Sequence, residues 1–145
     1  MRAPAERPTD RPIETVEVEV RYAETDQMGV VHHAVYPVWF ELARTRLCET
    51  AGHHYREIEE LGFYLLVTGL EIEFRHSARY GDHVVVDCWI DRLSSRGMTF
   101  AYHVRREERV LARGRTRHLW VRRDNGQPCR TPEVLAPGFA GLAGG

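Results

Sequence analysis

Apolar and polar residues first alternate along this chain and then repeat with a helical period. The alternation predicts a half-buried strand, with its apolar side chains at Val16, Val18, Val20 and Tyr22. From about Ala34, spacings of four, three, four and four place a second apolar set on one helical face. Its members are Tyr36, Phe40, Ala43, Leu47 and Ala51. Gly52 follows and is a suitable C-terminal cap, so a long helix is expected to end there.

Alternating patterns return after a short helical turn predicted over residues 55–61. They predict four more strands, around residues 70–74, 84–90, 100–104 and 110–121. The order of strand, long helix and four strands predicts an α+β domain. We expect the four later strands to form a meander, in a sheet that is antiparallel apart from where the first strand joins. One helix covers only one face of such a sheet, so a homodimer is expected to protect the rest.

The two ends of the chain differ in composition from the middle. Residues 1–12 contain three prolines and alternating charges, which predicts a flexible N-terminal arm. Residues 13–123 are predicted to form the folded domain. Residues 124–145 begin with a turn signal, Asp124-Asn125-Gly126, and carry three further prolines. They are predicted to be an extended or partly disordered tail.

Composition excludes several classes of protein. The net charge of −1 does not suit a nucleic-acid-binding protein. No run of 18 apolar residues could span a membrane, and the N-terminus lacks the apolar region of a secretory signal, so a cytoplasmic protein is expected. Three widely spaced cysteines fit neither a disulfide framework nor a metal knuckle. All 20 basic residues are arginine, so any phosphate contact would be made by a guanidinium.

The segment over residues 20–44, VRYAETDQMGVVHHAVYPVWFELAR, resembles the signature of the 4-hydroxybenzoyl-CoA thioesterase family. It is most similar to the Tol–Pal-associated acyl-CoA thioesterases. The matching positions are Arg21, Asp26, Gly29, Val30, His33, Tyr36, Phe40, Glu41 and Arg44. The resemblance implies the hotdog fold, a long central helix wrapped by a curved antiparallel sheet of about five strands. It also implies a homodimer, or a tetramer built from dimers, with active sites at the subunit interface and acyl-CoA as the substrate.

Asp26 is the candidate catalytic residue. An aspartate is ionised at neutral pH, so it could act as general base on a water or attack the thioester carbon itself. The thiolate leaves readily because a thiol pKa is only about 8.5, so neither a metal nor another cofactor is required. The alternative is an aspartate that only forms an Asx turn or caps the helix. The free N–H groups at the start of the long helix could hold the oxyanion, and the resemblance points to the N–H of His33.

Further candidates surround Asp26. The His33 side chain could orient water or the thioester, or bond locally at the helix start. Tyr22 could place its hydroxyl beside Asp26, or close the strand as a core tyrosine. Gly29 allows the backbone to approach the substrate. The expected substrate-binding residues are Gly29, Val30, Tyr36, Arg75 and Arg96. Arg79 and the row Arg113, Arg115 and Arg117 are further candidates for CoA phosphates, against the alternative of a solvated strand face.

Three other interpretations are weaker. His32, His33, His53 and His54 with Cys48 suggest zinc, but the spacing of a zinc site is absent. A hotdog dehydratase would need a different arrangement of histidine and acid, which is not found. A non-catalytic hotdog dimer that binds acyl-CoA or a protein partner stays open, because fold alone does not decide function.

Overall fold

The computed structural model describes residues 5–144. Its secondary structure follows the predicted order of a strand, a long helix, a short helical turn and four strands, with a further short helix near the C-terminus. The elements are β1 (Glu14–Glu19), α1 (Tyr36–Thr50), α2 (Tyr55–Glu60), β2 (Phe63–Phe74), β3 (His83–Leu93), β4 (Gly97–Arg106), β5 (Arg109–Arg122) and α3 (Ala136–Leu142). Two short 3-10 turns, Tyr22–Glu24 and His33–Val35, lie between β1 and α1.

The five strands form one antiparallel sheet in the order β1-β3-β4-β5-β2. The predicted meander is therefore correct for β3, β4 and β5 but wrong for β2, which pairs with β5 at the far edge. The expected exception for the first strand is also wrong, because β1 pairs antiparallel with β3, with Glu14 opposite Cys88. Alternation along a strand specifies which side chains face the core and says nothing about which strands are neighbours.

Helix α1 packs against the inner face of this sheet, as the apolar spacing predicts. Trp39, Phe40 and Leu47 are almost fully buried. The Phe40 ring stacks on Tyr102 of β4, with 4.1 Å between ring centroids. Gly114 of β5 makes room for this contact, because a β-carbon built there would lie 2.5 Å from Phe40 Cε2. The long helix on a curved antiparallel sheet confirms the predicted hotdog architecture.

The first strand is shorter than its alternation suggests. It ends at Glu19, and Tyr22 begins a 3-10 turn instead of extending the strand. The Tyr22 side chain is 77% exposed, so the alternative of a core tyrosine is wrong. The turn forms because the Glu24 carboxylate accepts a hydrogen bond from the backbone N–H of Arg21, which ends the extended conformation.

Part of the N-terminal arm packs on the outer face of the sheet. Ala5 lies against Trp89 and Ala101, and its carbonyl oxygen lies 2.9 Å from His103 Nε2. Arg11 Nη1 donates a hydrogen bond to the carbonyl of Ile90. The described part of the arm, residues 5–12, is therefore attached to the sheet, unlike the flexible arm predicted, while residues 1–4 of that prediction lie outside the described residues.

The C-terminal segment also differs from the extended or partly disordered tail predicted over 124–145. It first runs beside β5, where Pro128 bridges to Val121, and then forms α3. Leu135, Phe139 and Leu142 are buried in the main core. Their spacings of four and three form a short apolar helical face, a weak signal in a proline-rich segment. Residue 145 lies outside the described residues, and the domain boundaries stay predictions.

Two of the three cysteines belong to the core. Cys48 and Cys88 are fully buried, whereas Cys129 is partly exposed. Burial raises the pKa of the Cys48 thiol to about 12 and that of Cys88 well above its usual value. Among the helices of residues 5–144, none has the length and hydropathy to cross a membrane.

Candidate active site

A cavity of about 270 Å³ lies where the Asp26 loop, the start of α1 and the end of β2 meet. Its lining combines one carboxylate, one arginine, two histidines and several apolar side chains. The lining residues are Asp26, Met28, Val30, Val31, His33, Tyr36, Phe74, Arg75, His76 and Ser77. The structure thus brings together Asp26, His33 and three of the predicted substrate-binding residues.

The carboxylate of Asp26 is held by its own loop. Asp26 Oδ1 accepts hydrogen bonds from the N–H of Met28 at 2.8 Å and, more weakly, from that of Val30 at 3.5 Å. The backbone forms a turn in which the Gly29 N–H donates to the Asp26 carbonyl, and Gly29 has a φ of +80°, which favours glycine. This is an Asx turn, the alternative role that the sequence leaves open for Asp26. Oδ2 makes no hydrogen bond within residues 5–144, so the turn fixes the carboxylate while one oxygen stays available.

Glu24 anchors the same loop to α1. It is buried, and its Oε2 accepts a hydrogen bond from Trp39 Nε1 at 3.0 Å. Its Oε1 accepts from the backbone N–H of Arg21 at 2.8 Å. Burial alone would raise the pKa of Glu24, but the hydrogen bonds from Arg21 and Trp39 lower it below its usual value. An ionised Glu24 therefore fixes the position of Asp26 relative to the helix.

Two adjacent histidines have different roles at the start of the helix. His32 caps the helical turn, because its Nδ1 accepts a hydrogen bond from the Ala34 N–H at 3.0 Å. His33 lines the cavity, and its ring stacks on His32 at 4.2 Å. The N–H of His33 donates no hydrogen bond within the described chain, as expected for the first residue of a helical turn. The alternative role expected for His33, a local hydrogen bond at the start of the helix, is thus filled by His32.

Tyr36 forms a buried wall of the cavity. It is 2% exposed, and its ring packs edge-on against Phe74 of β2 at 5.1 Å. Burial raises the pKa of the Tyr36 hydroxyl, which therefore stays protonated at neutral pH. Arg75 follows Phe74 and is paired with Glu73 at the rim. The cavity thus has an apolar wall and a charged rim, a suitable combination for a ligand with an apolar and a polar end.

The other predicted residues lie outside this cavity within one chain. Tyr22 packs its ring on Tyr80 and makes no hydrogen bond to Asp26. Arg96 lies in the turn after β3, whereas the loop that borders the cavity lies before β3. The 11-residue strand separates the two by roughly 30 Å. The arginine row on β5 is engaged in ion pairs: Arg113 with Glu6, Arg115 with Asp91 and Arg117 with Glu71.

Sequence reasoning missed five lining residues, namely Met28, Val31, Phe74, His76 and Ser77. Three of them come from the end of β2 and the segment after it, which reaches the Asp26 loop through a hydrogen bond from the Val31 N–H to the carbonyl of Ala78. A signal was present, because residues 75–86, RHSARYGDHVVV, also resemble the thioesterase family, although less specifically than residues 20–44 do. Only the fold shows that it forms the opposite wall.

A buried polar network lies further along α1, on the face that packs against the sheet. Arg44 donates hydrogen bonds to the hydroxyls of Tyr55 and Tyr102, at 2.8 and 3.0 Å. Thr116 Oγ1 lies within hydrogen-bond distance of the Tyr102 hydroxyl and of His118 Nε2. Burial, together with the charge of Arg44, lowers the pKa of His118 to about 3, so this histidine is neutral. The Arg44 of the sequence signature therefore belongs to the core.

No group of three or more His, Cys, Asp or Glu side chains in residues 5–144 is arranged to hold a metal ion. His53 instead pairs with Glu57, and His54 caps α2 through the N–H of Arg56.

Comparison with known proteins identifies the family. Residues 20–139 match the model of the Thioesterase-like superfamily. A Bacillus subtilis protein, provisionally named acyl-CoA thioesterase YneP, is 35% identical over 113 residues, which are 77% of this chain and 82% of that protein.

Two solved structures share the fold over most of both chains. A hypothetical protein, TT1821 from Thermus thermophilus, matches with a TM-score of 0.85 and 43% identity, over 89% of this chain and 98% of that one. The DHNA-CoA thioesterase of Staphylococcus aureus matches with a TM-score of 0.83 and 29% identity, over 88% and 89%. With the long helix, the five-stranded sheet and the matched residues in agreement, this chain belongs to the Thioesterase-like superfamily.

Proposed function

We propose that this protein hydrolyses acyl-CoA thioesters to a free acid and CoA, with Asp26 as the catalytic residue. The observation that carries the proposal is the position of the Asp26 carboxylate, which lines a cavity beside the start of α1. Relatives named as CoA thioesterases support the choice of substrate class. A cavity with an apolar wall and a charged rim suits an acyl group attached to a charged carrier.

The chemistry follows from the two sides of the cavity. Asp26 either removes a proton from water as the water attacks the thioester carbon, or attacks that carbon itself to form an anhydride that water then hydrolyses. In both cases the C–S bond breaks and CoA leaves as the thiolate. The N–H of His33, together with the positive end of the helix, stabilises the negative charge that develops on the carbonyl oxygen. The His33 side chain orients the water or the thioester. Tyr36 and Val30 contact the acyl group, and Arg75 at the rim contacts the polar part of CoA.

We also propose that the protein acts as a homodimer or as a tetramer of dimers. Apolar side chains are exposed on the outward face of α1 and on the edge strand β2, namely Val38, Leu42, Leu66, Val67 and Leu70. An apolar edge strand is expected to pair with a second chain, because its unpaired backbone N–H and C=O groups could otherwise bind other chains and cause aggregation. Arg96, distant from the cavity of its own chain, is proposed to serve the site of a partner subunit.

The test is thioester hydrolysis with a panel of short, long and aromatic acyl-CoAs. Asp26→Asn keeps an oxygen that can accept the Met28 N–H, so the turn is preserved while the base is lost. We expect kcat to fall by about a hundredfold or more. Asp124→Asn is the matched control, because Asp124 is exposed in a turn outside the cavity, and its rate should stay within about twofold.

Each outcome has a definite meaning. Equal rates for Asp26→Asn and the wild type would remove Asp26 from the mechanism. Binding of acyl-CoA without hydrolysis by the wild type would favour a non-catalytic module. Reduction by borohydride during turnover would convert an Asp26 anhydride to homoserine, and its absence from the digested protein would favour the general-base mechanism.

A further inference from the structure

Two tyrosines form an exposed aromatic pair beside the cavity. Tyr22 comes from the 3-10 turn after β1, and Tyr80 comes from the loop before β3. The rings meet edge-on with 5.7 Å between centroids, although the side chains are 77% and 65% exposed. Aromatic side chains usually contribute to stability by being buried. A pair assembled from two distant segments and left open to solvent is suited to contact a planar ligand.

Arg79 lies between this pair and the Asp26 loop. Its backbone bridges to Val30, and its Nη1 lies 3.7 Å from the position that a β-carbon on Gly29 would occupy. The side chain is exposed and makes no ion pair within residues 5–144. Asp82, the nearby acid, accepts from the backbone N–H of Arg79 and pairs its carboxylate with Arg106. The Arg79 guanidinium is therefore available for an external anion.

Two arginines near this end of the sheet make no ion pair within residues 5–144, namely Arg79 and Arg109. Glu73 is balanced by Arg75, and Asp82 by Arg106. Arg109 contacts no acid in the described chain and lies 3.2 Å, through Nη2, from His76 Nδ1. The other arginines here are held by acids, whereas the guanidinium groups of Arg79 and Arg109 are not. Together with Tyr22 and Tyr80 they form a patch that offers aromatic rings and free guanidinium donors to an external ligand.

We propose that Tyr22, Arg79 and Tyr80 bind the phosphorylated adenosine end of CoA while the acyl group occupies the cavity. Adenine offers a planar face to the tyrosine rings. A planar guanidinium binds phosphate oxygens through two parallel hydrogen bonds. This inference rests on the proposed function and extends it from the acyl end to the nucleotide end of the substrate. It also replaces the expected catalytic role of Tyr22 with a binding role.

The site selects against carriers without a nucleotide. An acyl-pantetheine has the same thioester but neither adenine nor phosphate, and a phosphopantetheine on a carrier protein has a phosphate but no adenine. Contacts to the nucleotide stabilise the ground state and the transition state equally, because no charge changes there during hydrolysis. Their loss should therefore raise KM and leave kcat unchanged.

The experiment compares acyl-CoA, acyl-dephospho-CoA and acyl-pantetheine with the same acyl group. For Arg79→Gln we expect KM for acyl-CoA to rise about tenfold or more, as for the loss of a charge-assisted hydrogen bond, with kcat within about twofold. Values for acyl-pantetheine should not change. Tyr80→Ala should act in the same direction, and Tyr80→Phe should restore binding because the ring is retained. Arg130→Gln, at an exposed arginine outside the patch, is the matched control.

The possible results separate this inference from the proposed function. An unchanged KM for acyl-CoA in Arg79→Gln and Tyr80→Ala would overturn it. Equal losses for acyl-CoA and acyl-pantetheine would overturn it too, because they would indicate a disturbed Asp26 loop. If the wild type hydrolyses none of the three substrates, the proposed function fails. Calorimetric binding of CoA to the same variants then tests the nucleotide site independently, with unchanged affinity as the contrary result.

Discussion

Replacing Phe139 by alanine tests whether α3 is part of the core. The Phe139 ring is fully buried, packs edge-on against Trp120 at 5.9 Å between centroids, and faces His53 at 6.3 Å. Truncation of a buried phenylalanine costs about 3–5 kcal/mol. Because α3 is short and can adjust, we expect the lower end, about 3 kcal/mol. For a chain of this size, that loss lowers Tm by roughly 6–12 °C.

Urea unfolding followed by tryptophan fluorescence measures this loss, since Trp120 lies in contact with the substituted ring. Wild type and variant are compared at one protein concentration, because subunit dissociation contributes to apparent stability. Val134→Ala is the control on the same segment, as Val134 is 60% exposed and should change stability by less than about 0.5 kcal/mol. If Phe139→Ala loses less than about 1 kcal/mol, the packing of α3 on the core is refuted.

Two further predictions concern pH and assembly. Because the pKa of His118 is lowered to about 3, the unfolded chain alone binds this proton between about pH 6.5 and 3. The free energy of unfolding therefore contains the full contribution of neutral His118 above about pH 6.5 and falls by up to about 1.4 kcal/mol per pH unit below it. His118→Gln should reduce this slope in urea unfolding, and an unchanged slope would contradict the assignment. Leu70→Glu places a charge on the exposed edge strand β2 and should convert a dimer to monomers in analytical ultracentrifugation. The control Val134→Glu should leave the dimer intact. A Leu70→Glu variant that stays dimeric would exclude this edge from the interface.

The sequence predicts single elements better than their arrangement. The face of α1 follows from a spacing that buries Phe40 and Leu47, because a helix repeats its own geometry within a few residues. The position of β2 beside β5 depends instead on pairing between residues far apart in the chain, such as Phe63 with Arg122. Nothing in the local alternation of β2 distinguishes β5 from β3 as its neighbour. The helical end of the C-terminal segment was missed because Pro132 and Pro137 dominate its composition.

Within the candidate site, the residues of one continuous segment were predictable and those from elsewhere were not. Asp26, Val30, His33 and Tyr36 lie within 11 consecutive residues, and a loop that enters a helix keeps such residues together. Phe74 and Ser77 join them because the end of β2 and the segment after it run beside the loop, a long-range contact. Tyr22 was misplaced because alternation continues past the point where Glu24 captures the backbone N–H of Arg21.

The burial of two cysteines gives the protein an internal reporter of its own opening. A disulfide reagent reacts with thiolates, so Cys48 and Cys88 are protected in the native state both by the core around them and by their raised pKa values. Cys129 alone is partly accessible. A thiol reagent that detects released CoA therefore also reacts with one cysteine per chain, and this signal is the background of the assay. Reaction of the second and third thiols then marks transient exposure of the interior, and its rate measures how often α1 separates from the sheet.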